Sequence, residues 1–384
     1  MRRWTALAGI LLVGSLAPDR ASLAVTPGSG TRLDTLPRPT GDHAVGRRAF
    51  YVLDSLRTDS QAIRPDGRRE FMLLVWYPAD GKPRSVPDSP WIRGASADSA
   101  ASDLFALTRR ATTPPSLAEV RRILGSTTSW AQDSAAVAPE GGPFPVLIFA
   151  PGNLTMPDYY ATLAEELASR GYVVIGHVPT GYARNVMLPD GRVFPRRPYR
   201  DLEAWVGDLR WVLAHLAYWD RDPSHPLHAR LDTLRVGLYG HSGGANAAET
   251  VAASDARIGA IAALDPGLTP DSCATSKPTL LLLAENKAFA AQHASEASDI
   301  AHEREAFMRR LQHGYEATIL GSEHMSFTDL SAIPEFRTPS ESPEQLTAAR
   351  KVLVAFFDEA LRGTPSKWLH GESSGDPVVR IGRD

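Results

Sequence analysis

Cysteine is all but missing from this 384-residue chain, which contains one, Cys273. A disulfide within the chain is impossible, and so is a metal site built from several thiolates. The lone thiol reads as core filler rather than as a nucleophile. An excess of charge is missing too: 41 Lys and Arg stand against 44 Asp and Glu, a net charge of −3. Without a basic field there is no electrostatic footprint for nucleic acid. No apolar run reaches the roughly 20 residues that a membrane-spanning helix needs. The run from Trp4 to Leu16 is shorter, follows the positive start Met1-Arg2-Arg3 and precedes the small residues Ser22 and Ala24. That order predicts a signal peptide over residues 1–24 and a secreted or periplasmic protein, with an uncleaved N-terminal anchor as the alternative. His215, His225 and His228 lack acids at a metal-ligating spacing, and Pro226 breaks any helix face they could share, so neither a metal nor a cofactor is expected.

What is present is a globular composition, with 43% hydrophobic and 22% charged residues. Residues 25–45, rich in Pro, Gly and Thr and without periodicity, read as a disordered tail. Two extended stretches, Ala49 to Leu56 and Glu70 to Tyr77, flank the turn Arg64-Pro65-Asp66-Gly67 and predict an antiparallel pair. Residues 80–142 hold Pro, Ser, Ala and Gly clusters with a helical pattern only near Leu117 to Leu124, and read as an insertion that shapes a pocket. Strands and helices then alternate: strand Pro145 to Ala150, helix Asp158 to Arg170, strand Tyr172 to Val178, helix Asp201 to Tyr218, strand Leu234 to Tyr239 and an Ala-rich helix to Ala253. Strands Ile258 to Leu264, Thr279 to Ala284 and Glu316 to Leu320 follow, with a polar helix from Ala290 to Gln312 and a last helix carrying Leu346, Val352, Leu353, Phe356 and Phe357. Such alternation predicts one domain over residues 46–363, a mostly parallel sheet covered by helices on both faces, with residues 364–384 as a tail.

The strongest local signal is Gly240-His241-Ser242-Gly243-Gly244, placed directly after an apolar strand and opening a helix. A strand reversing this sharply needs glycines around the serine and presents the hydroxyl above the sheet edge. An alcohol needs a general base, and His324, in the loop after the strand ending at Leu320, lies where that base belongs. His293, His302 and His313 fall in or near a charged helix pattern and read as solvated. Two carboxylates compete to orient the base, Asp265 and Glu285, each closing a strand; the turn Pro266-Gly267 favours Asp265. An oxyanion needs two amide donors. Gly243 supplies one; the loop Pro151-Gly152-Asn153-Leu154 supplies the other, from Asn153 or, next in line, Leu154. Tyr159, Tyr182 and Trp205 are candidates for lining a pocket, and Arg192 to Arg200 is a basic stretch able to meet an anionic headgroup or simply be solvated.

Phe149-Ala150-Pro151-Gly152, residues 163–174, Gly240-His241-Ser242, Ala263-Leu264-Asp265 and His324-x-x-Phe327-x-Asp329 together resemble the platelet-activating-factor acetylhydrolase group within the dienelactone-hydrolase-like α/β hydrolases. The resemblance implies the α/β-hydrolase fold and a triad that maps onto Ser242, Asp265 and His324. Two positions depart from the family: Pro151 replaces the His of its His-Gly oxyanion loop, and Gly243 is smaller than the usual residue after the serine. The expectation is a serine esterase acting on short-acyl esters of small molecules or lipids, with polyester, aryl-ester or lipase-type hydrolysis and acyl transfer as further enzymatic readings. A catalytically silent binding protein on the same fold is the reading of another class.

Overall fold

The computed structural model describes residues 36–92, 97–111, 113–197, 202–267, 276–372 and 375–382. The expected signal peptide and the lone Cys273 lie outside these residues. Among the described residues fourteen strands run in chain order: β1 (Ala44–Thr58), β2 (Arg68–Ala79), β3 (Ser89–Pro90), β4 (Thr128–Ser129), β5 (Gln132–Asp133), β6 (Phe144–Ala150), β7 (Val173–Val178), β8 (Asn185–Met187), β9 (Val193–Pro195), β10 (Leu231–His241), β11 (Ile258–Leu264), β12 (Thr279–Ala284), β13 (Gly314–Ile319) and β14 (Val379–Ile381). Eight α-helices accompany them: α1 (Ala97–Leu107), α2 (Leu117–Ser126), α3 (Ala161–Ser169), α4 (Glu203–Arg221), α5 (Gly243–Ser254), α6 (Lys287–Gln292), α7 (Ala294–Met308) and α8 (Pro343–Arg362).

Ten strands form one sheet in the order β14-β13-β12-β11-β10-β6-β7-β2-β1-β5. From β7 through β13 neighbouring strands are parallel, whereas β1, β2 and β7 pair antiparallel. The central strands are almost wholly apolar, His177 of β7 and Thr279 of β12 excepted, because both faces are covered: every residue of β6, β7 and β12 is buried. Helices α3 and α8 pack on one face, α4 and α5 on the other. This is the α/β-hydrolase architecture. It brings the carboxyl ends of β6, β10, β11 and β13 to one edge, where open parallel sheets hold their ligands.

Three expectations need correction. The tail expected over residues 25–45 is packed from Leu36 onward: Leu36 is buried, its amide donates to the Thr128 carbonyl, and Thr40 donates twice to Glu166. The C-terminal tail expected after residue 363 supplies β14, antiparallel to β13. A three-residue strand has too short a pattern to read from sequence. The single polar helix expected from Ala290 to Gln312 is two, α6 and α7, broken at His293.

The insertion over residues 80–142 is structured but lies elsewhere than expected. Trp91, Leu104, Val120, Ile123 and Ala131 join the core beside β2 and α3. Trp91 Nε1 reaches the Asp158 carbonyl and Asp329 Oδ2, both at 3.0 Å. Asp329, from the family-like motif, also accepts the first amides of α3, from Ala161 at 2.8 Å and Thr162 at 3.1 Å, so its role is to cap that helix.

Candidate active site

Ser242 follows β10 with φ 53° and ψ −128°, a conformation costly for any residue with a side chain. The glycines around it explain how the turn fits. A Cβ on Gly244 would lie 2.2 Å from the carbonyl oxygens of Ala150 and Pro151, and one on Gly240 would lie 2.5 Å from Gly244. Only bare backbone lets α5 start this close to the end of β6. Gly243 differs, with nothing nearer than 3.9 Å to its Cβ position, so that site is roomy rather than constrained. Leu154, Asp265 and Asn286 also have positive φ, so most of the strained non-glycine positions gather at this edge of the sheet.

Asp265 stands directly after β11, buried, and is met by four donors. His324 Nδ1 lies 2.6 Å from Oδ2, Asn286 Nδ2 3.0 Å from Oδ2, Arg304 2.9 Å from Oδ1 and the Ala284 amide 3.2 Å from Oδ1. Burial alone would raise its pKa. The hydrogen bond and charge of His324, with the Arg304 guanidinium, outweigh that and hold it down at about 2, ionised at any working pH. His324 opens a short 3₁₀ turn after β13 and is half exposed. Its loop is tied down on the far side: Glu285 accepts the Gly321 amide at 2.7 Å and pairs with Lys287 at 3.1 Å. Of the two competing acids, Asp265 therefore meets the histidine, while Glu285 buttresses the loop that carries it.

Beyond Ser242 opens a cavity of about 1020 Å³ lined by Ser242, Asp265 and His324. Its far wall is apolar, built by Phe289 of α6, Ala297, Ile300 and Ala301 of α7, Met325 and Pro339. No described residue of the 80–142 insertion lines it, nor do Tyr159, Tyr182 or Trp205. Tyr182 and Trp205 pack together in the core behind the elbow, ring centroids 4.8 Å apart.

In the loop after β6 the Leu154 amide is taken, donating to the Tyr182 carbonyl at 3.0 Å. Asn153 remains and is exposed, its Cβ 4.0 Å from where a side chain on Gly243 would start. Gly243 opens α5, and first-turn amides have no acceptor within the helix. Asn153 and Gly243 thus stand close together beside the serine.

Residues 29–178 match the family model for platelet-activating factor acetylhydrolase, isoform II. No curated protein matches the chain. Among solved structures, a ferulic acid esterase from Streptomyces cinnamoneus superposes with a TM-score of 0.70 and 26% sequence identity, over 92% of this chain and 100% of that one. The chain is a serine carboxylic-ester hydrolase of the α/β-hydrolase fold.

Two side chains of this esterase escape a reading of the sequence. Arg304 sits in the charged run His302-Glu303-Arg304-Glu305, where nothing separates it from solvated neighbours. Asn286 had one signal: an Asn after a strand end, where left-handed backbone is most often tolerated. The basic stretch loses a member as a headgroup candidate, since Arg192 is held by both oxygens of Glu70 at 2.8 Å and by Asp190 at 2.7 Å.

Among the described residues no helix is long and apolar enough to cross a membrane, and no cluster of three metal-ligating side chains occurs.

Proposed function

We propose that this esterase is secreted and hydrolyses short-acyl esters of bulky apolar alcohols through an acyl-enzyme formed on Ser242. The observation that carries the reading is the 2.6 Å contact of His324 Nδ1 with Asp265, at the cavity that Ser242 also lines. A ring donating Nδ1–H to a carboxylate leaves Nε2 as its free acceptor. Ser242 Oγ attacks the ester carbonyl while its proton passes to Nε2. The resulting alkoxide oxygen is held by the amides of Gly243 and Asn153. Nε2 returns the proton to the departing alcohol. Water then attacks the acyl-serine, giving its proton to Nε2, and collapse of the second intermediate frees the acid and restores Ser242. Asp265 stays ionised and orients the imidazole throughout.

The size and apolar wall of the cavity support a bulky group on one side of the ester. The same wall, with Phe289 and Met325, supports a second reading in which that group is an aromatic acyl, and the ferulic acid esterase neighbour adds weight to it.

A nitrophenyl series from acetate to decanoate, run beside methyl ferulate with Ser242→Ala as control, separates these. Rates that fall with acyl length and vanish in the variant support the first reading. Preference for the ferulate favours the second. Hydrolysis that survives Ser242→Ala rejects both.

A further inference from the structure

Three backbone segments must keep register at the site: the oxyanion loop, the serine elbow and the loop bearing His324. We infer that Tyr160 and His241 are positioning residues that lock these three segments together through one directed hydrogen-bond chain. The inference rests on the triad and oxyanion roles proposed above.

The chain runs through the interior. The Gly152 amide donates to Tyr160 Oη at 3.1 Å, Tyr160 Oη lies 2.8 Å from His241 Nδ1, and His241 Nε2 lies 2.9 Å from the backbone oxygen of His324. Chemistry fixes its direction. A carbonyl can only accept, so Nε2 carries the proton. In a neutral ring Nδ1 must then accept, so the Tyr160 hydroxyl donates to it, and the hydroxyl's lone pair takes the Gly152 amide. Burial keeps the ring neutral by pulling the His241 pKa down to about 3, and keeps the phenol protonated by pushing Tyr160 well above its ordinary value. No change of pH in the working range of an esterase therefore reverses the chain.

Its reach distinguishes it from the pairing of any two buried polar groups. Gly152 immediately precedes Asn153, the proposed donor to the oxyanion; His241 immediately precedes Ser242; His324 is the proposed base. His324 is thus gripped twice, by Asp265 on its ring and by His241 on its main chain. There is little slack at the other end. A Cβ on Gly152 would stand 2.9 Å from His241 Nδ1 and 3.1 Å from Tyr160 Oη, and Thr155 Oγ1 fastens the same residue by donating to its carbonyl at 2.6 Å. The rings are packed as well: Phe149 against Tyr160 at 4.8 Å, and His241 against Phe327 at 5.8 Å. A displacement of Tyr160 or His241 moves the oxyanion donor relative to the base, which costs transition-state binding and leaves ground-state binding against the apolar wall of the cavity alone.

The test compares Tyr160→Phe, His241→Leu and His241→Gln with wild type. It reads kcat and KM on a nitrophenyl ester, inhibition by a phenylboronic acid as tetrahedral analogue, and melting temperature. A side-chain amide at position 241 can still donate to the His324 carbonyl and accept from Tyr160, so it is the conservative replacement.

Expected are a kcat lowered about 10- to 100-fold in Tyr160→Phe and His241→Leu with KM within about twofold, a boronate affinity lowered in parallel, and recovery in His241→Gln to within about fivefold of wild type. A folded Tyr160→Phe or His241→Leu enzyme with unchanged kcat, or with its loss confined to KM, overturns the inference. If those two variants do not fold, His241→Gln decides alone: near-normal kcat and boronate affinity support the chain, and a loss of kcat as large as 100-fold in a folded protein overturns it. Failure of the triad roles shows up separately, as hydrolysis that survives Ser242→Ala. Failure of the present inference appears only in the variants at positions 160 and 241.

Discussion

The two flanks of Ser242 are built on opposite principles. On the side of β6 and the loop after it the groups that hold the site are neutral and wholly buried: Tyr160 donates to His241 and Thr155 to the Gly152 carbonyl, among packed aromatic rings. On the side of β11 and β12 they are charged and stand at the rim of a cavity. Asp265 faces Arg304, Glu285 faces Lys287, and α7, which carries Arg304, buries only Phe307 among its side chains. The neutral flank resists change because any displacement strands a buried donor or acceptor. Around the buried Asp265, the charged flank tolerates change at its more exposed members, Glu285, Lys287 and Arg304, because water can replace what is lost. Geometry demanded to a fraction of an ångström sits on the first; the surface that meets the variable part of a substrate sits on the second.

The largest effect that would break this contrast concerns the two acids. Asp265→Asn is expected to lower kcat by about ten-thousandfold, whereas Glu285→Gln costs only a few-fold. Single-turnover and steady-state rates on one ester measure both. Collapse in Glu285→Gln with activity retained in Asp265→Asn would reverse the roles assigned here. Next in size is Arg304→Gln. It removes one of four donors and the nearby cation from Asp265, and about a tenfold fall in kcat/KM is expected, in line with one charge-assisted hydrogen bond at a partly exposed site. Activity lost as completely as in Asp265→Asn would mean that the charged flank is as rigid as the neutral one.

The smallest effect is on stability. Glu249 of α5 is buried, both its oxygens lack a partner among the described residues, and burial raises its pKa to about 8. Because the ordinary value is 4.5, the folded state holds this proton over a pH range in which the unfolded chain has released it. Its contribution is fully favourable below about 4.5 and is lost as pH rises towards 8. Glu249→Gln should therefore gain about 1–3 kcal/mol over wild type at pH 8.5 and little at pH 5, read by urea denaturation at both values. An equal change at both would show the carboxyl to be solvated.

Much of this could be read from the chain alone, and for identifiable reasons. The turn at Ser242 announces itself because only glycine fits at positions 240 and 244, and the strands of the sheet core do so because burial on both faces leaves them almost wholly apolar. Asp265 and His324 were legible as strand-end residues in the right order. What stayed hidden depends on distant partners. Arg304 lies 39 positions from Asp265 in a helix whose charges look alike, and nothing local marks Tyr160 as the partner of His241, 81 positions away. The insertion over residues 80–142 misled in the opposite way. Its length and composition suggested a pocket wall, yet its few apolar residues, Trp91, Val120 and Ile123 among them, are spent on the core. The wall facing the serine comes from α6 and α7, whose alanines and alternating charges carry no such sign.

The sheet ends at both margins in very short strands, the two residues of β5 and the three of β14. A long bare margin offers a row of unpaired amides and carbonyls on which another extended chain can template itself. With β14 in place, the ladder of Ala317, Thr318 and Ile319 is already occupied. Shortening the protein ahead of Val379 would leave every residue of the active site intact and yet hand this esterase a surface for self-association, so the penalty would be paid in solubility on storage rather than in turnover.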